Sequence, residues 1–110
     1  MALAGAAAAE PLTIQLIDAG FDHDLRTREP IVTFVMSKAS QAAFARFTQE
    51  NIGRKVEFRV DGKAVSTPVI REPILSGSGQ ISGGFKLEEA RDLAARLSSG
   101  QAKLQIELAP

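Results

Sequence analysis

Residues 55–62, KVEFRVDG, constrain the chain more than any other stretch: Val56, Phe58 and Val60 alternate strictly with Lys55, Glu57, Arg59 and Asp61. Successive side chains of a strand point to opposite faces, so this segment enters a sheet with one face in water and one in the core. Asp61-Gly62 favours a tight hairpin turn. The returning strand is expected at about 64–70, where Pro68 restricts it to an edge or a bulge. The last segment repeats the pattern, with Leu104, Ile106 and Leu108 against Lys103, Gln105 and Glu107.

The dry face of such a sheet needs a cover, and two amphipathic segments supply it. A helix is predicted over about 38–52, with Ala43, Phe44 and Phe47 at helical spacing, Ser37 or Ser40 as N-cap and Gly53 as a left-handed C-terminal cap. A second helix carries Leu87, Ala90, Leu93, Ala94 and Leu97 on one face and closes at Gly100. Earlier, LTIQLI alternates over residues 12–17, and the apolar run IVTFVM at 31–36 suits a central strand. GFDHDLRTREP has no apolar period and reads as a loop. These elements predict an α+β, two-layer sandwich: a ferredoxin-like split βαβ with an additional N-terminal strand, and both helices on one face of a mixed or antiparallel sheet.

At 110 residues the chain holds one domain, assigned to 11–110, after an Ala-rich stretch 1–10 that reads as a tail or a signal-peptide remnant; Ala7-Ala8-Ala9 has the form a signal peptidase accepts. No stretch approaches 18 consecutive apolar residues, so no membrane span is expected. Lysine plus arginine and aspartate plus glutamate number 13 each, and Tyr and Trp are absent, which argues against a nucleic-acid partner. Absence of Cys removes disulfides, thiol nucleophiles and thiolate zinc sites.

Candidate chemistry is sparse. Gly77, Gly79, Gly83 and Gly84 lie between a strand and a helix, where backbone amides hold phosphates in other folds. Their spacing matches neither a dinucleotide fingerprint nor a Walker loop, and the simpler role is a turn with positive-φ positions. Asp18, Asp22, Asp24 and Glu29 fall on calcium-loop positions, but Gly20 and His23 break the pattern, leaving a solvated acidic loop. Glu88 and Glu89 complement a helix dipole and diverge too far for paired-carboxylate hydrolysis. The serines lack a nucleophile elbow. No enzyme, cofactor or metal is expected. Phe85, after two glycines at a helix entrance, reads as a staple or an exposed apolar contact.

The segments FARFTQENIGRKVEFRVDGKAVSTPVIREPI and SGSGQISGGFKLEEARDLAARLSSG, together over half of the chain, resemble the head subdomain of the first large periplasmic domain of SecD, of the bacterial protein-export machinery. SGQISGGF followed by EEA and a short Leu/Ala helix ending in SG carries the resemblance. It implies a periplasmic or otherwise exported, non-enzymatic module that binds polypeptide or a protein partner in connection with export. Two departures stand out: Lys86 replaces the Thr of a T-x-x-E capping box shared with Glu89, and QAKLQIELAP replaces the usual continuation, so the domain is expected to close on itself as a free-standing unit.

The expected binding surface runs from Arg71 to Phe85 with the nearby sheet edge, and comprises Arg71, Ser76, Gly77, Ser78, Gly79, Gln80 and Phe85. An exposed strand there offers β-augmentation. The chain is expected to be a monomer or a weak homodimer. Alternatives are a structural, self-associating domain pairing through the Pro68 edge, and an anion- or ligand-binding module at the Gly-rich loop.

Overall fold

The chain changes sheets at Gln15. In the computed structural model, which describes residues 11–110, β1 (Leu12–Ile14) and β2 (Leu16–His23) are successive strands of two different sheets. Gln15 itself is held from outside either ladder: its N–H donates to Ser40 Oγ at 2.8 Å and its carbonyl accepts the Ser37 N–H at 2.8 Å. The segment 1–10, with its expected tail or signal remnant, lies outside the described residues.

The order continues with β3 (Pro30–Met36), α1 (Lys38–Glu50), β4 (Val56–Val60), β5 (Lys63–Ser66), β6 (Ser78–Ile81), α2 (Leu87–Ser98) and β7 (Leu104–Leu108). One sheet has the order β1-β7-β4-β5 and the other β2-β3-β6, and every pair in both is antiparallel. The α+β class, the two helices and the antiparallel pairing match expectation. The strands divide between two sheets where one was expected, so the ferredoxin-like strand order is not built. The reason is that β3 pairs with β2 and β6, while β4 and β7 pair with each other.

Alternation decides burial as the sequence predicts. Val56, Phe58 and Val60 are buried, as are Leu104 and Ile106, while Arg59 on the wet face bridges Glu57 at 2.7 Å and Glu107 at 3.4 Å. Phe58 packs with Phe34 of the other sheet (ring centroids 6.2 Å) and Phe44 of α1 (6.3 Å), so both sheets and α1 meet at one aromatic cluster. From α2, Ala90, Leu93, Ala94 and Leu97 enter the same core.

Local signals set the helix ends. Ser37 is the N-cap of α1, accepting the Ser40 N–H at 3.2 Å, which leaves the Ser40 hydroxyl for Gln15. α2 ends in a Schellman arrangement, in which Gln101 N–H donates to Arg96 O, Gly100 N–H donates to Leu97 O and Gly100 has φ +81°. At its start only half of a capping box forms. Glu89 Oε1 accepts the Lys86 N–H at 2.8 Å, but an ammonium has no lone pair with which to answer.

Residues 78–81 are strand where a turn was expected, residues 12–17 are divided at Gln15, and two further segments differ from their expected form. The stretch from Gly20 to His23 is strand, pairing Gly20 with Thr33 and His23 with Pro30, and only 24–29 is loop. A hairpin ladder is held by backbone bonds and needs little apolar period: Ala19 packs against the core from β2, while Asp18 and Asp22 are exposed. After β5, which ends at Ser66, pairing continues only as the Lys55–Val69 bridge, and Val56 N–H takes the Pro68 carbonyl.

Candidate functional site

Between Ile74 and Phe85 the chain carries no charge, and its centre is β6, an edge strand that among the described residues pairs only with β3. The approach to it is anchored on α1. Thr48, fully buried, donates its hydroxyl to Ala45 O at 2.9 Å and accepts the Ile74 N–H at 3.0 Å. Gln41 Nε2 donates to Leu75 O at 2.8 Å, and Met36 N–H donates to Gly77 O at 2.8 Å. Gly77 has φ +80°, and a Cβ there would stand 2.7 Å from Gln41 Oε1, so the turn into β6 needs glycine for conformation and for space.

β6 presents Ser78 and Gln80 to solvent while Ile81 is buried. Ser76 Oγ donates to Ser78 O at 3.2 Å and lies 3.4 Å from Ser78 N, curling the strand entrance onto its own first residue. Ser78, Gly79 and Gln80 border an open depression of about 380 Å³ on the sheet, shared with Asp18, Ala19, Gly20, Thr33, Phe34 and Val35. Among the described residues that line it, Asp18 is the only ionisable side chain.

The structure therefore brings five of the seven expected residues together, Ser76 to Gln80, and leaves two elsewhere. Arg71 follows Ile70, whose N–H donates to Arg54 O and whose carbonyl accepts Gly53 N–H, at the far end of α1. Phe85 is half-buried in a groove between β5 and α2, beside Val65, Glu89 and Leu93. It precedes N-cap Lys86 and packs against the core, the staple position rather than an exposed contact. Sequence reasoning missed Thr33, Val35, Asp18 and Gly20, which complete the depression from β2 and β3. Nothing local marks them, because the register that sets them beside β6 is long-range.

The Gly-rich corner has a structural explanation. Gly84 has φ +69°, and a Cβ on Gly83 would collide with the Val65 carbonyl of β5. Among the described residues no three His, Asp or Glu side chains gather as metal ligands. Asp24 instead accepts the Arg26 and Thr27 N–H groups at 2.7 and 3.1 Å. Those backbone bonds, first Thr27 and then Arg26, hold its carboxyl below the usual range.

The model of the family described as "SecDF, P1 head subdomain" matches residues 11–103. The chain belongs to the SecDF P1 head family. The SecD protein translocase subunit of Acetobacter pasteurianus is 41% identical over 85 residues, covering 77% of this chain and 16% of that protein. A crystal structure of SecDF in its super-membrane-facing form superposes with a TM-score of 0.74 at 30% identity, over 87% of this chain and 13% of that one. A second solved structure, of SecDF described as a membrane component that enhances protein export, gives 0.73 at 31% identity, over 87% and 43%. The chain thus spans about a sixth of the length of its curated SecD relative. The P1 head is a periplasmic domain of a bacterial membrane protein, and the family is one of protein export rather than a known enzyme family. Among the described residues no helix is long and apolar enough to cross a membrane.

Proposed function

We propose that this P1 head is a non-enzymatic module that binds extended polypeptide, acting in the periplasm in connection with protein export, and that residues 11–110 form a single domain for that purpose. The observation carrying the reading is the uncharged edge strand β6, with an open depression beside it and a loop pinned to α1 before it. An unpaired edge offers N–H and C=O groups that any extended chain can match, whatever its side chains. Sequence-tolerant capture is what an export component requires, and solved SecDF is described as enhancing protein export. The residues assigned to this contact are Ser76, Gly77, Ser78, Gly79 and Gln80, with Arg71 and Phe85 outside it.

The test is NMR titration of the isotope-labelled chain with an unfolded secretory polypeptide. Shifts are expected in residues 76–81 and in Thr33 and Val35. A titration that moves none of them ends the reading. Light scattering on the same samples tests the self-associating alternative, for which a concentration-dependent dimer is the expected result.

A further inference from the structure

Among the described residues, four strand edges border the two sheets, and three carry features that discourage pairing. β1 is three residues long and follows Pro11. β2 has a bulge between Leu16 and Asp18, and its Asp18 and Asp22 carboxylates accept the N–H groups of Ala19 and His23 at 2.9 and 2.8 Å. β5 carries Lys63, runs on toward Pro68, and has Gly83 pressed against its Val65 carbonyl. Short length, charge, proline, bulges and covering loops are the ways proteins blunt exposed edges. β6 has no charge, proline or bulge.

Its backbone can be accounted for group by group. Met36 N–H donates to Gly77 O, and the register pairs Phe34 with Gly79 and Val32 with Ile81. Alternation in an antiparallel ladder then gives Gly79 and Ile81 the bonds to β3 and turns the N–H and C=O of Ser78 and Gln80 outward. The Ser76 hydroxyl occupies both groups of Ser78. Among the described residues, no turn, loop or side-chain hydrogen bond involves the Gln80 backbone.

From this accounting we infer that the outward N–H and C=O of Gln80 are the docking point for an extended polypeptide strand, and that the Ser76 hydroxyl is a placeholder that such a strand displaces from Ser78. The inference rests on the polypeptide-binding reading and deepens it. It commits to one of four edges and to one register, with Gln80 bonded first and Ser78 second. The strand it takes is recognised through its backbone, because β6 itself, Ser78–Ile81, carries no charged side chain.

The probe is a soluble alternating Thr/Val peptide flanked by lysines, added to the unmutated chain and to two variants. In the unmutated chain the Gln80 amide is expected to exchange more slowly with solvent when the peptide is bound. Gln80→Pro removes an N–H that β3 does not use, so the fold persists while peptide affinity falls about tenfold or more. Ser76→Ala frees Ser78 and tightens binding about threefold, an effect that loss of a merely structural contact does not produce. If peptide binds but Gln80 exchange is unchanged, or Gln80→Pro binds as well as the unmutated chain, the assignment of the edge is wrong while the polypeptide reading stands. A Ser76→Ala variant that binds no more tightly overturns the placeholder role. If the unmutated chain binds no extended polypeptide, the reading itself fails.

Discussion

Gly79 packs against the tip of the Phe34 ring: a Cβ at 79 would stand 2.9 Å from Phe34 Cζ, and Phe34 is 2% exposed. The two residues are register partners across β3 and β6, so the absence of a side chain on the edge strand is what lets the core aromatic reach the sheet surface. Gly79→Ala forces that ring toward Phe58 in a core without slack. We expect a loss of about 1–3 kcal/mol of stability, read by denaturant unfolding.

The hydroxyl of Thr48 is the pin of the loop before the candidate site, serving Ala45 O and Ile74 N–H at once. Thr48→Val keeps the shape and leaves Ile74 N–H unsatisfied, at a cost of about 1–3 kcal/mol. Amide exchange should quicken at Ile74 before it does in the strands.

Asp61 joins three elements. Its Oδ1 accepts Lys103 N–H at 2.9 Å, its Oδ2 meets Arg96 at 2.9 Å, and its φ of +52° begins the β4–β5 turn with Gly62 at +84°. The ion pair is well exposed, so Asp61→Asn, which keeps the amide acceptor and tolerates the backbone, should cost under about 1 kcal/mol and less in high salt. Asp61→Val, strained at positive φ and without an acceptor, should cost about 2 kcal/mol or more. Comparing the two by thermal unfolding separates charge from backbone.

Lys86 leaves the second half of its capping box empty. Lys86→Thr supplies the missing acceptor and should add about 0.5–2 kcal/mol, provided Glu89 is intact. The same substitution in a Glu89→Ala background should gain less, and calorimetry of the four chains gives the coupling.

The depressed carboxyl of Asp24 stabilises the β2–β3 turn in its ionised form. Because the folded value lies below the unfolded one, that contribution is present above the ordinary Asp range and is lost as pH falls through the folded value. An NMR titration should place the Asp24 midpoint below that of a free Asp. The Arg26 and Thr27 amide signals should move with it.

Legibility followed the range of the cause. KVEFRVDG and KLQIEL announced their dry faces because the pleat is a property of neighbouring residues, and Ser37 and Gly100 announced their caps for the same reason; α1 instead closes at Asn51, whose N–H donates to Thr48 O, while the expected cap Gly53 gives its N–H to Ile70 O. Residues 20–23 were unreadable as strand, since Asp22 and His23 are held there by pairing with Ile31 and Pro30 and contribute little burial of their own. Ser76 to Gln80 could be picked out as part of a Gly-rich stretch and of the family motif, but Arg71 and Phe85 could not be separated from them. The segment before β6 is anchored on Thr48 and Gln41, which sets Arg71 apart, and the close approach of Gly83 to the Val65 carbonyl carries Phe85 to the groove beside β5 and α2.

Periodicity and turn chemistry thus sufficed to specify which face of β4, β7 and the two helices is dry, where α2 stops and where the chain reverses at Asp61-Gly62. Which strands share a sheet was settled only by packing across the whole molecule, at the step from β1 to β2 through Gln15. Alternation says that a face must be buried but not against what. Choosing partners depends on hydrogen bonds and contacts between residues far apart in sequence, and those exist only once the core has formed.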